Sequence, residues 1–530
     1  MMVQSLVKLC AREVVSDHSS SPRWLSCVPR ELFPELLDAA FTHCRTLAVG
    51  ELVKRWPERS LNIGARKKRG HCPPNRLCIQ ALLLAVGRGL TDKRCCLEVL
   101  DLRGLQCENV KAEDSIIDGW SLTVSLSNVV QAGSAASRRN GEQDRKSGLD
   151  SICGRGAIIR PRDIAGCGNI YKVGLGVEEA GKREARTNHQ ASAEDESVNG
   201  VRRGRIEIHK SNTTVSISDQ GWDEVVVHIW TDLFVNFQSW ERVLDALSQP
   251  GPVRLNCRYL RVEELSASSI ASLLGLLPQE DLLEIDIRYC SLGVSGLIML
   301  LPLLAAFPQL RSLKLLYCHL DLQYNLPNQQ EALQDMCNGM RSIKGLKKLF
   351  LTALRLPDHL HMLLSQHASF LRVLDLSENW LNEWFLPSLC QLFSQAKQSL
   401  CQLSLCGCNV SDDLLEVLLP SLSSFQALRG LRLALNPLSR MGVLSLARAA
   451  AGIPSLHLLL YPNPMEEYEP GLPPMPSSGQ LLNWPLVKEP EERAITKILL
   501  EELLNQRGRS HDLVVTSDLL NYSPDLCEED

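Results

Sequence analysis

From Leu282 onward the chain keeps returning to one phrase, Leu-x-x-Leu-x-Leu-x-x-(Asn or Cys)-x-Leu, and that return constrains its fold more than any other feature. Two copies read Leu282, Ile285, Ile287, Cys290, Leu292 and Leu310, Leu313, Leu315, Cys318, Leu320. A less regular third runs Leu346, Leu349, Leu351, Leu354, Leu356, and a fourth Leu371, Leu374, Leu376, Asn379, Leu381. Leu400, Leu403, Leu405, Cys408, Val410 and Leu428, Leu431, Leu433, Asn436, Leu438 follow. A degenerate seventh begins at Leu456 and carries Pro464 at the Asn/Cys place.

Each position has a physical task. The central Leu-x-Leu alternates across a strand, so both leucines enter the core while their neighbours face out. The Asn or Cys turns inward as the chain leaves the strand and bonds backbone groups that the turn would strand, amide more strongly than thiol. Segments such as Gly296–Phe307 and Asp412–Phe425 carry apolar residues at helical spacing. Copies start 28, 36, 25, 29, 28 and 28 residues apart, room enough for a full helix between strands. These are leucine-rich repeats, and the predicted fold is an α/β horseshoe: parallel strands inside, helices outside.

A stack of repeats needs covered ends. Leu97–Cys107 reads as an early strand of the same kind. Strand-like Val225–Ile229, helix-like Trp240–Leu247 and strand-like Val253–Leu260 lead to the first clear copy. Beyond Pro470, Pro473, Pro474 and Pro476, Glu491–Gln506 reads as a helix with Ile495, Ile498, Leu499, Leu503 and Leu504 on its apolar face. Gly508 terminates it, and Leu513–Thr516 is a last strand. The segment from Gln131 to Arg205 is rich in Gly, Ser, Arg and Glu and poor in leucine, so disorder is expected there. The chain thus divides into a helical segment (1–60), an N-terminal cap region (61–130), a disordered insertion (131–205), the repeats (206–465) and a C-terminal cap and tail (466–530).

Several kinds of chemistry are set aside. A net charge of -5 over 530 residues argues against general nucleic-acid or membrane-surface binding. The 19 cysteines are odd in number and lack paired short spacings, unlike a secreted disulfide scaffold. Lys8, Arg12 and Glu13 interrupt the apolar N-terminus, so no signal peptide is read, and the cytoplasm, with the nucleus as a further site, is expected. Gly174, Gly176 and Gly181 depart from dinucleotide-loop spacing, and Arg66–Arg69 reads as a solvated basic loop. Cys406 with Cys408, Cys95 with Cys96, and His71 and Cys72 near Cys78 lack zinc-ligand spacing, so neither metal nor cofactor is expected. No Gly-x-Ser-x-Gly elbow or P-loop supports an enzyme reading.

The N-terminus carries the most specific clue. In Ser5–Val14, Leu6, Cys10 and Val14 recur every four residues and form one helical stripe, with Leu9 beside them. Such a stripe can lie in a partner's groove. The run resembles the BC-box of elongin-C-binding proteins. Val28-Pro29-Arg30-Glu31-Leu32 downstream is similar to a cullin-2 box, its signature residues being Val28, Pro29 and Leu32.

Together with the repeats, Cys27–Phe41, Leu52–Pro57, Tyr461–Pro464, Tyr468–Leu472 and Arg509–Leu520 resemble the PRAME family over nearly the whole chain except 131–205. The resemblance implies a ribonuclease-inhibitor-like solenoid and a substrate receptor of cullin-2 ubiquitin ligases. By residue match Leu6 and Cys10 would meet elongin C, and Pro29 with Leu32 cullin-2. It also implies, as an alternative, ligase-independent dampening of Toll-like-receptor and NF-κB signalling by binding an inhibitor-of-κB kinase. The expected grip on the target is formed by strand residues that alternate with the core leucines, among them Asp286, Arg288, Lys314, Tyr317, Phe350, Asp375, Glu378 and Arg432, which carry both charge signs.

Overall fold

The structure, a computed structural model, describes residues 6–16, 27–64, 75–91, 96–105, 121–152, 226–320, 329–356, 360–488 and 490–519. Gly174, Gly176, Gly181, Arg66–Arg69, His71, Cys72 and Cys95 lie outside them. The chain forms two compact units, residues 1–142 with 224–530, and residues 143–223; of the second, only the helical stretch 143–152 is described.

Twelve parallel strands in the first unit form one sheet in strict chain order. They are β1 (Ser60–Asn62), β2 (Val99–Asp101), β3 (Val227–Asn236), β4 (Val253–Glu263), β5 (Glu284–Arg288) and β6 (Ser312–Leu316), then β7 (Lys348–Thr352), β8 (Val373–Asp375), β9 (Gln402–Ser404), β10 (Gly430–Arg432), β11 (Leu458–Leu460) and β12 (Val514–Thr516). Helices α1 (Leu6–Ser16), α2 (Phe33–Thr42), α3 (Thr46–Lys54), α4 (Arg76–Thr91) and α5 (Leu122–Ile152) accompany the first strands. Between later strands lie α6 (Trp240–Ser248), α7 (Ala267–Leu276), α8 (Gly293–Ala305), α9 (Gln329–Ser342), α10 (Leu360–Leu364), α11 (Leu386–Ala396), α12 (Asp412–Ser423) and α13 (Arg440–Ala451). The last two helices are α14 (Ser478–Asn483) and α15 (Pro490–Gln506). Each helix from α6 to α13 packs on the next, making a second layer. This is the leucine-rich-repeat solenoid. Among the described residues no helix is long and apolar enough to cross a membrane.

The repeat positions do what their chemistry demands. Ile285, Ile287, Leu313, Leu349, Leu374, Leu403 and Leu431 are all at most 1% exposed. Asn379 donates from Nδ2 to the carbonyls of Leu351 (2.6 Å) and Leu376 (2.7 Å), and its Oδ1 accepts the Leu354 N–H (3.0 Å). Asn436 repeats the pattern with Leu405, Leu433 and Val410. The Cys318 and Cys408 thiols reach back in the same way to the carbonyls of Ile287 (3.3 Å) and Leu376 (3.2 Å). In these four repeats one side chain thus ties the repeat to the one before it. Helices α7, α12 and α13 start at Ser266, Ser411 and Ser439, whose hydroxyls accept the N–H three residues on.

Two hydrophobic cores meet within β3 and β4. Val227, Ile229, Val253 and Leu255 belong to the core of the N-terminal helices, whereas Leu233, Val235, Leu260 and Val262 open the core of the repeats. The register slips between Thr231 and Leu233, where a bulge separates the two halves.

Three expectations need correction. Residues 131–152 are helical rather than disordered, because the start of that stretch is packed: Ser134 is fully buried, and Gly133 lets Pro252 and Val253 approach within 3.4–3.5 Å of where a Cβ would stand. The early strands are also longer than their apolar runs, β3 reaching Asn236 and β4 Glu263, since polar residues alternate with core residues along both. Finally, the apolar face of α15 is rotated. Leu500 and Leu504 are buried, whereas Ile495 and Ile498 are 40% and 51% exposed.

Candidate partner-binding surfaces

Helix α1 is apolar on two sides. Ala11 and Val15 enter the N-terminal core against α2. Leu6 is 76% exposed, Val7, Leu9 and Cys10 are also exposed, and Val14 is half-buried. Packing therefore consumes one stripe and leaves the Leu6–Cys10 stripe bare. Downstream, Pro29 and Leu32 are exposed while Val28 packs partly on the same core. A short 3-10 turn, Arg30–Leu32, joins them to α2 and sets them on the rigid N-terminal helices.

The inner face of the sheet is organised in rows by register. Asp286 lies beside Lys314, Lys314 beside Phe350, Phe350 beside Asp375, Asp375 beside Ser404, and Ser404 beside Arg432. Neighbouring strands stand only ~4.8 Å apart, so side chains along a row pack sideways on one another. The Lys314 ammonium meets Glu284 at 2.7 Å and sits 5.1 Å from the Phe350 ring centre. Asp286 binds the Arg288 guanidinium at 2.6 Å. Asp375 accepts the Ser377 N–H at 2.8 Å. Five residues expected to grip a target, Asp286, Lys314, Phe350, Asp375 and Arg432, are each at most 7% exposed. They line the inner face, but their contacts are with neighbouring residues of the sheet and its turns; Arg288 keeps a fifth of its side chain in solvent.

Tyr317 and Glu378 are not on that row. They occupy the turn just past the strand, with Tyr289, Ala353, Gly407 and Leu435 at equivalent places, all at φ between 53° and 63°. The left-handed turn carries the chain off the strand in repeat after repeat, at a cost only glycine escapes. There Tyr289 and Tyr317 stack in parallel, ring centres 5.3 Å apart, and are 55% and 40% exposed. Burial, then Glu378 and Tyr289, push the Tyr317 hydroxyl above its ordinary pKa. Burial likewise raises Glu378, against the opposing hydrogen bond from the Ser478 hydroxyl (2.6 Å). Ser478 begins α14, so the C-terminal cap folds back along the turn edge as far as Glu378 and leaves the tyrosines beyond it uncovered.

The tyrosine pair was missed at Tyr289, although the signal was available: Tyr289 directly precedes Cys290 as Tyr317 precedes Cys318. Exposed Trp380 and Trp384 were missed too. A third feature lies on the inner face near the bulge, where Arg103 stands over Trp230 and Arg258 over Tyr259. Beside them Asp232 accepts the Gly104 N–H at 2.7 Å; burial pushes its pKa up to about 6 despite that bond and the nearby guanidinia. Among the described residues no group of three or more His, Cys, Asp or Glu is placed to hold a metal ion.

Comparison with known proteins agrees with this architecture. The profile of the PRAME N-terminal domain matches residues 3–110 and that of the PRAME C-terminal domain residues 358–472. Leucine-rich repeat-containing protein 14 of Xenopus laevis is 30% identical over 514 residues, covering 88% of this chain and 89% of the relative. The Mus musculus protein of that name is 29% identical, with 97% of both chains covered. PRAME family member 12 of Homo sapiens is 22% identical over 88% of this chain and 85% of its own length. The repeat solenoid, the paired domain profiles and these near full-length likenesses make the chain a member of the PRAME family of leucine-rich-repeat proteins, a family of interaction scaffolds.

Proposed function

We propose that the chain is a substrate receptor of a cullin-2 ubiquitin ligase, docking elongin C through Leu6, Cys10 and Val14 and cullin-2 through Val28, Pro29 and Leu32. The observation that carries this reading is the double-faced helix α1, whose Ala11–Val15 side is buried while Leu6 and Cys10 stand in solvent. Helix packing explains the first face and offers nothing for the second; a partner's groove does. The target is held by the repeats, at the uncovered Tyr289–Tyr317 edge with Arg288 alongside. Such a receptor does no chemistry: it raises the effective concentration of a target beside the ligase's catalytic partner.

Affinity purification of the full chain with and without Leu6→Ala plus Cys10→Arg tests it. Wild type is expected to bring elongin C and cullin-2, and the double variant to lose both while its circular dichroism and melting temperature stay unchanged, because neither side chain is in the core. Elongin C retained by the variant, or absent from wild type, would sink the reading.

A further inference from the structure

On the helical layer, away from both surfaces just described, the start of α11 and the start of α12 enclose an open groove of about 380 Å3. Leu386, Cys390, Leu414 and Val417 make its floor and walls, Val417 being 54% exposed. Glu383 and Asp413 stand at its rim, and Glu416 is exposed one residue before Val417. Neither helix carries a lysine or arginine. The loop entering α11 also bears the two barest indoles among the described residues, Trp380 at 70% and Trp384 at 80% exposure.

We infer that this groove is a docking site for a protein segment that places an aliphatic side chain next to lysine or arginine. Each feature asks for one part of that chemistry. The apolar floor takes the aliphatic group. The carboxylates repel phosphate and would be stranded at high cost under a wholly apolar partner, but a cation satisfies them. Solvent-facing indoles offer ring faces on which a guanidinium or ammonium rests. The helix dipole accounts for Asp412 and Asp413 in the first turn of α12 and favours Glu383 in the turn that leads into α11, yet it does not account for Glu416 in the middle of α12. The inference is independent of the ligase reading, since it uses none of the same residues.

A random heptapeptide library displayed on phage, selected on the full chain, tests it. Enriched peptides are expected to carry Lys or Arg beside an aliphatic residue. A synthetic copy should bind wild type at least about tenfold more tightly than Trp384→Ala, or than Glu383→Lys combined with Asp413→Lys, and should weaken as salt rises. All three substituted side chains are solvent-exposed, so both variants keep the fold, which circular dichroism checks. Enriched peptides without basic residues, peptides that bind the variants as well as wild type, or no enrichment at all would overturn the inference.

Discussion

Replacing Asn379 measures how much one side chain contributes to joining two repeats. Its amide reaches four backbone groups, the carbonyls of Leu351, Leu376 and Ser377 and the N–H of Leu354, at 2.6, 2.7, 3.2 and 3.0 Å, and the residue is 2% exposed. In Asn379→Ala the Leu376 carbonyl keeps the Cys408 thiol at 3.2 Å and the Ser377 carbonyl keeps the Ala353 N–H at 3.0 Å, so the loss falls on Leu351 and Leu354. A buried backbone group left without its partner costs about 1–3 kcal/mol, which makes the expected destabilisation about 2–6 kcal/mol. Asn379→Cys should recover roughly half of that. Its thiol can donate to Leu351 as Cys318 does to Ile287, and its sulfur can accept weakly, as Cys290 accepts the Leu265 N–H at 3.4 Å. Solenoids unfold in parts, so the assay is urea unfolding combined with amide hydrogen exchange at Leu354, whose protection should fall in the order Asn, Cys, Ala. An alanine variant within about 0.5 kcal/mol of wild type, or a cysteine variant no better than alanine, refutes the account of the ladder.

Two further perturbations follow from the packing. The raised Asp232 carboxyl, facing Arg103, Arg258 and Asp101, holds its proton in the native state between its ordinary 3.8 and about 6, where the unfolded chain has released it. Its contribution to stability is therefore largest below 3.8 and is lost as pH rises through about 6. Asp232→Asn, which keeps an acceptor for Gly104, should match wild type near pH 4 and gain up to ~3 kcal/mol at pH 7.5 in urea melts; a pH-independent difference would exclude the idea. Gly339→Ala and Gly275→Ala should move the melting temperature in opposite directions. A Cβ at Gly339 meets buried Leu301 at 2.7 and 2.8 Å and should cost about 1–3 kcal/mol, whereas nothing lies within 4 Å at Gly275 and the gain is about 0.5–1 kcal/mol. The same sign for both would contradict the helix packing.

What the sequence disclosed and what it withheld divide along a physical line. A residue whose environment is set by its own repeat and the next, such as Leu374 or Asn436, meets the same neighbours every time, so its role shows in the spacing. The Tyr289–Tyr317 stack belongs to the same class, because its two rings hold one repeat position. Contacts that occur once leave no periodic trace. Ser478 reaches Glu378 across 100 residues, and no local pattern marks either of them for it. Helix α5 runs past Gln131 into a stretch whose composition reads as disordered, and there the approach of Pro252 and Val253 against Gly133 gives it a reason to order. The burial of the inner row is hidden from the sequence for a related reason. Alternation correctly placed Asp286, Lys314 and Arg432 on the face opposite the core, but alternation knows nothing of the strand alongside. At parallel-sheet spacing an aspartate beside a lysine beside a phenylalanine fills the face by itself. A partner must therefore compete with those sideways contacts to use the row, and meets no such competition at the turn edge. For the proposed receptor, that favours the tyrosines over the charges as the place where specificity for a target would be set.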